Sequence, residues 1–392
     1  MKKILVTANC SKRAQTTGLT GILLEQFQDL RSNYIELSLF DYNIVETHSH
    51  RDYPVDFYYN ITIGEKLKKS ILNYPILRRS LRFFLSTCKY IAILRKQRFD
   101  LIIIYQVVPE TELLVRIAKS KGVKVLLFPW GSDILRARGL IKNSLKRAFN
   151  LADFVGGAEN SNTMLAAIST YGVDLTKLRY QNQYCSSIIE IKNQALKSRE
   201  IASDFIGIPV SKCNIVCGYR CAPDQQYQLI IEKFISIMPD LPSDYQLIFL
   251  MTYGDSNRAI IKEEYQALCE KNGLKAVFLM DFLSKEQVAA LHCVTDLYIS
   301  LLPTDTGNAF LTEALCAKNV IVTGKWLSYK RFEKFGIPYH LIDKPEDLDI
   351  FLKDFFLKKL PNITVPDKLV DYFTPPQNYV PSSYWYNIVK DL

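Results

Sequence analysis

The segment Leu301-Leu-Pro-Thr-Asp-Thr-Gly-Asn-Ala-Phe-Leu-Thr-Glu313 holds the residues whose types and spacing point most directly to chemistry. A strand is expected to end at Leu302, a loop of Thr304, Asp305, Thr306 and Gly307 follows, and a helix opens near Asn308 with Glu313 one and a half turns in. Free backbone N–H groups at such a helix start point at an anion, which the helix dipole also favours, so a diphosphate fits there. Glu313 would then reach the hydroxyl pair of a ribose. The same residue types also make an ordinary Asp/Thr/Asn helix cap followed by a solvent-facing Glu.

Other candidates are scattered. Glu110, in Gln106-Val-Val-Pro-Glu, follows a strand end and would orient or deprotonate an acceptor hydroxyl, or simply sit in the first turn of a helix. His48 and His50 offer acid–base groups in a polar loop. Gly18-Leu-Thr-Gly21 lets a phosphate approach a helix start or marks a plain turn. After the first strand stands Ala8-Asn-Cys-Ser-Lys-Arg, not G-x-G-x-x-G, which argues against a nicotinamide cofactor. Cys213-x3-Cys217-x3-Cys221 has the period of one strand face and reads as packing, so no metal site is expected.

Two series of alternating strands and helices must position these groups. Strands are expected at about 3–8, 34–40, 101–107, 123–129 and 153–157, and again at 214–218, 246–252, 276–280, 297–302, 320–323 and 339–342. Runs such as Leu101-Ile-Ile-Ile-Tyr suit strands covered on both faces, as in a parallel sheet. The fold class is therefore α/β, with two Rossmann-like domains facing across a cleft: residues 1–190, a polar linker at 191–210, a second domain at 211–365, and a tail at 366–392 that ends in a helix at 382–391. A chain of 392 residues with 48% hydrophobic and 23% charged positions has ample material for two cores, which excludes disorder, collagen and coiled coil.

Charge is divided unevenly. Residues 1–200 carry 30 basic and 17 acidic side chains, a net of +13, whereas 201–392 carry 19 and 23, a net of −4. Lys66 to Phe99 contains ten Lys/Arg and no carboxylate, interleaved with Ile, Leu, Phe and Tyr. That stretch suits an anionic membrane surface. No nucleic-acid-binding pattern accompanies it, and the remaining reading is a solvated helix face. With no apolar run of spanning length, no signal peptide and nine cysteines in mainly apolar segments, a cytoplasmic protein is expected.

Asp305 and Glu313, eight positions apart in a strand–loop–helix, resemble the E-x7-E signature of nucleotide-sugar glycosyltransferases of the GT-B fold, especially family 4, with Asp in place of the first Glu. The resemblance implies that Asp305, Thr306, Gly307 and Asn308 contact the donor, that Glu313 holds its ribose, and that the last helix of the 366–392 tail, with Trp385, returns to the first domain. Asp281-Phe-Leu-Ser-Lys-Glu resembles the family's base-binding turn, which implies Phe282 and Leu283 beside the nucleobase. Cys217-Gly-Tyr-Arg-Cys-Ala-Pro-Asp-Gln225 stands where the family carries an Arg and a Lys on the leaving diphosphate. Arg220 matches the Arg, while Gln225 replaces the Lys; Lys325 or Lys330 would have to compensate. Leu250-Met-Thr-Tyr-Gly-Asp and Pro129-Trp-Gly-Ser-Asp133 resemble segments of lipid-linked 4-acetamido-4,6-dideoxygalactose transferases, which brings in Tyr253, Gly254 and Asp133. Asp133 is then a sugar ligand, a base or the helix cap. The implied activity is transfer of a sugar from a nucleoside-diphosphate sugar to a polyprenyl-diphosphate-linked saccharide acceptor at the inner membrane face, without metal or other cofactor and without nucleic acid. A non-catalytic sugar-nucleotide-binding protein and a sugar-nucleotide epimerase or dehydrogenase are the rival classes.

Overall fold

The computed structural model describes residues 1–8, 23–24, 26–31, 34–44, 54–61, 74–181, 187–195, 198–305, 307–327, 329–376, 382–390 and 392. The chain folds as two units, Met1–Asn182 with Tyr379–Leu392, and Gln183–Asn378.

In the first unit, β1 (Lys2–Ala8), β2 (Ile35–Ile44), β3 (Phe57–Ile61), β4 (Leu101–Tyr105), β5 (Lys124–Phe128), β6 (Phe154–Gly157) and β7 (Leu178–Tyr180) form a sheet of order β3-β2-β1-β4-β5-β6-β7. Every described pairing is parallel, with Ile4 opposite Leu101 where β1 meets β4. All five residues of β4 are buried, and their alternation divides them between two cores: Ile102 and Ile104 on one side, Leu101, Ile103 and Tyr105 on the other. A strand buried on both faces reads as an unbroken apolar run, which is why it is visible in the sequence. The Ser383–Lys390 helix belongs to this unit. Its Trp385 is fully buried 4.5 Å from the Phe27 ring and donates to Gln26 Oε1 at 2.8 Å.

The second unit repeats the plan with β8 (Cys213–Cys217), β9 (Tyr245–Leu250), β10 (Ala276–Leu279), β11 (Leu297–Ser300), β12 (Val320–Gly324) and β13 (His340–Ile342) in the order β10-β9-β8-β11-β12-β13. The strand order reverses within each sheet at β1/β4 and at β8/β11. Ligands of open α/β sheets sit outside the carboxyl ends of the strands at that reversal.

The stretch 191–210, expected as a linker, is largely helical. Ser187–Ala195 and Arg199–Ile206 are helices whose Ile188 and Ala202 pack in one core with Leu291 and Val294. The caps are present in the sequence: the Ser198 hydroxyl accepts from Ile201 N at 3.3 Å, and Gly207 ends the helix at φ 72°. β3 and β7 have no counterpart among the expected strands, being short outermost strands with broken apolar patterns.

Candidate functional site

The loops after β8 and β11 flank the reversal point of the second sheet. After β8, Gly218 at φ 60° turns the chain under Gln225, whose Oε1 accepts from Tyr219 N at 3.0 Å. A Cβ on Gly218 would come within 2.6 Å of the Tyr227 ring and 2.7 Å of Gln225 Oε1, so glycine is required on both counts. Gln225 is 2% exposed and donates from Nε2 to Asp224 Oδ1 at 3.2 Å, so at the place expected for a phosphate-binding Lys the side chain braces the loop instead. Asp224 in turn takes Arg220 at 2.6 Å. The Gln226 amide donates to Leu301 O and ties this loop to the end of β11.

After β11, Asp305 organises the turn. Its Oδ2 accepts from Asn308 Nδ2 at 2.8 Å, Asn308 N at 3.3 Å and the Tyr329 hydroxyl at 3.0 Å. Asn308 caps the Ala309–Cys316 helix by accepting from Leu311 N at 2.8 Å. Gly307, at φ 85°, stands against Phe332 and against Arg331, a 5%-exposed cation that sequence reasoning missed. Glu313 is 8% exposed and does not face solvent. Its Oε1 accepts from the Ser187 hydroxyl, and its Oε2 lies 3.6 Å from His292 Nε2. Neither Ser187 nor His292 carries a motif that could flag it. Thr306 lies outside the described residues.

Aromatic rings border the same loops. Tyr253 is 6.5 Å from Tyr219 and 6.2 Å from Phe282, and both Tyr253 and Phe282 are exposed enough for a planar ligand to stack on them. Leu283 packs on the core beneath. Gly254 has a different duty: at φ 121° it lies so close to the Cys221 carbonyl that a Cβ would fall 2.0 Å from the oxygen. Cys221 N donates to Tyr253 O and Asp255 N to Cys221 O, both at 2.7 Å, which joins the loops after β8 and β9 through backbone. Lys325 and Lys330 are engaged elsewhere, with Asp343 and Glu333, each at 2.7 Å.

In the first unit, Asp133 belongs to the loops. Its carboxylate accepts from Val107 N (3.0 Å), Trp130 N (3.1 Å), Gly131 N (2.8 Å) and Ile134 N (3.0 Å), so it joins the β4 and β5 loops as cap and clamp. Burial raises its pKa above the ordinary aspartate value against the pull of those donors. A base needs a free lone pair directed at substrate, and the geometry gives Asp133 to the backbone instead. Glu110 differs: it is 7% exposed, its Oε1 is 3.9 Å from Arg82, and its Oε2 has no hydrogen-bond partner among the described residues. The same holds for the buried Trp130 Nε1. Gly18, His48, His50 and residues 66–73 of the basic stretch lie outside the described residues. Cys217 and Cys221 are buried in the core, and among the described residues no group of three or more His, Cys, Asp or Glu is placed to hold a metal ion. No helix among them is long and apolar enough to cross a membrane.

No protein-family model matches the sequence, and no curated protein matches it. Solved structures do resemble the chain over its whole length. A glycosyltransferase from Rickettsia africae ESF-5 superposes with a TM-score of 0.65 at 14% identity, covering 100% of this chain and 98% of the other. Anabaena HepE in complex with UDP and glucose gives 0.61 at 16% identity, with 100% of both chains covered. The α,α-trehalose-6-phosphate synthase of Burkholderia multivorans gives 0.63 at 12% identity, covering 100% and 96%. The fold is GT-B. At these identities the likeness speaks to architecture, and a GT-B chain of this kind must be assigned a function from its own site.

Proposed function

We propose that the chain is a glycosyltransferase that takes its sugar from a nucleoside-diphosphate sugar. The observation that carries this reading is Glu313, a carboxylate held out of bulk solvent on the helix that follows β11 at the reversal point of the second sheet. In this reading the Gly307 amide, together with Arg220, receives the diphosphate, Glu313 the ribose, and Tyr253, Phe282 and Leu283 the base. Anabaena HepE, of the same fold, is described in complex with UDP and glucose, which makes uridine nucleotides the first to test.

Transfer forms a bond from the acceptor oxygen to the anomeric carbon and breaks the bond from that carbon to the diphosphate. Glu110 takes the hydroxyl proton, and Arg220 with the Gly307 amide takes the charge that grows on the leaving group. Asp133 holds the loop that carries this chemistry. The acceptor class is a lipid-linked saccharide, and the basic 66–99 stretch rests on an anionic membrane surface at the cytoplasmic face. Supporting this, the Pro75–Lys96 helix exposes Leu77, Phe83 and Phe84 together with Lys89, Arg95 and Lys96.

Thermal-shift measurements with UDP-, GDP- and dTDP-sugars test the donor site: one nucleotide raises the melting temperature of the wild type, and Glu313→Ala and Arg220→Ala lose most of that response. Sedimentation with anionic liposomes tests the surface, since reversing Lys89, Arg95, Lys96 and Arg98 should abolish a salt-sensitive association. A second reading, a non-catalytic sugar-nucleotide-binding protein, is favoured by Arg220 being paired with Asp224 and by Gln225 replacing a cation. Binding of a sugar nucleotide without hydrolysis or transfer to any acceptor preparation would establish that reading over the first.

A further inference from the structure

His292, on the Lys285–Val294 helix, is 1% exposed and covered by the Phe310 ring at 4.4 Å. Its Nδ1 is 3.1 Å from Asn319 Oδ1. The orientation of that amide is fixed, because Asn319 Nδ2 donates to the carbonyl oxygens of His292 at 2.9 Å and Thr295 at 3.0 Å. Oδ1 can only accept, so Nδ1 carries a hydrogen. Nε2 has no hydrogen-bond partner among the described residues and stands 3.6 Å from Glu313 Oε2. If the ring were neutral and Glu313 ionised, this nitrogen would be a bare acceptor facing a carboxylate oxygen in a buried site, an arrangement that sets two acceptors against each other.

We infer that His292 is a positioning residue for Glu313: it carries hydrogens on both ring nitrogens and presents Nε2–H to Oε2. Asn319, His292 and Glu313 then form one line, and with the Ser187 hydroxyl on Oε1 they fix the plane of the carboxylate from both sides. Glu313 is the carboxylate that faces Nε2, at 3.6 Å. On the helices packed around it, Arg199 is engaged with Asp296 at 3.1 Å and Lys192 with Asp371 at 3.4 Å. The consequence for ribose binding rests on the donor-site reading proposed above; the hydrogen on Nε2 does not.

Two measurements on the full chain test this. With only four histidines, a long-range 1H–15N spectrum of 15N-histidine-labelled protein at neutral pH, assigned with His292→Gln, reads the ring directly. Both His292 nitrogens should resonate in the hydrogen-bearing range, and a bare-nitrogen signal at Nε2 overturns the inference. Titration with UDP supplies the second readout. His292→Gln keeps a donor at the Nε2 position and should bind UDP within about threefold of wild type, while His292→Leu should bind about tenfold or more weakly. Equal weakening in both variants shows that the histidine fills space only. If UDP, GDP and dTDP all fail to bind the wild type, the donor reading falls, and the nitrogen spectrum still decides the state of the ring.

Discussion

The two strand-end regions solve the same problem differently. In the second unit the polar side chains of the loops after β8 and β11 are committed to one another: Arg220 to Asp224, Gln225 to Tyr219 N, Asp305 to Asn308 and Tyr329, and Glu313 to Ser187. In the first unit, Asp133 is equally committed to backbone amides. Buried polar atoms with no hydrogen-bond partner among the described residues occur in both regions, but they differ in kind: nitrogens of Arg220 and His292 in the second unit, a carboxylate oxygen of Glu110 and the indole nitrogen of Trp130 in the first. A buried polar atom left unpaired costs roughly 1–3 kcal/mol, more if charged, so each of these atoms is a place where a water or a ligand would be held. The difference is thus one of charge: of these atoms, the unpaired carboxylate oxygen, the group able to accept a proton from a hydroxyl, is in the first unit.

The largest effect that could break this comparison is on turnover. Glu110→Gln should cut sugar transfer by roughly 10²–10⁴-fold while leaving nucleotide binding and melting temperature near wild type, because in the proposed reaction the group lost is the general base and not a brace. An active variant would remove the difference between the units. Next comes Asp133→Ala, which strips the acceptor from four backbone N–H groups and should destabilise the protein by about 3 kcal/mol in chemical denaturation. Asp133→Asn should keep part of that stability and some activity; a fully stable but inactive Asn variant would return Asp133 to the chemistry.

Gly254→Ala sharpens the other side. The added Cβ meets the Cys221 carbonyl, so stability should fall by about 2 kcal/mol and nucleotide affinity with it, as the joined loops separate. The smallest effect is away from both regions. Arg147, the first cause, then Ser144 and Arg116 hold the Glu112 carboxyl down to about 2, although burial pushes it the other way. A carboxyl lowered on folding contributes stability above its unfolded pKa and loses it as pH falls toward the folded value. Acid unfolding between the ordinary glutamate range and about pH 2 should therefore include a Glu112 contribution that Arg147→Gln reduces, and solvent screening keeps it small.

Much of the fold is legible in the sequence because strands buried on both faces, such as Leu101–Tyr105 and Tyr245–Leu250, are unbroken apolar runs. The helix after β11 is equally clear from Asp305, Gly307 and Asn308, which cap and turn as their chemistry dictates. What stays hidden depends on pairs far apart in the chain. Ser187 and Glu313 are separated by 126 positions, and Asn319 and His292 by 27, so no local pattern joins them. Asp133 and Gly254 are visible as residues, but their duties are not, because those are set by where backbone amides and a carbonyl from other loops arrive.

The central claim is that Glu313 receives the pentose of a nucleoside diphosphate. Isothermal titration of UDP, GDP and dTDP into the wild type and Glu313→Ala tests it most directly. The account predicts saturable binding of one of them, weakened about tenfold or more by the substitution while the melting temperature of the ligand-free protein shows the variant still folded. Wild-type binding that Glu313→Ala leaves unchanged, or no binding of any of the three, would contradict it.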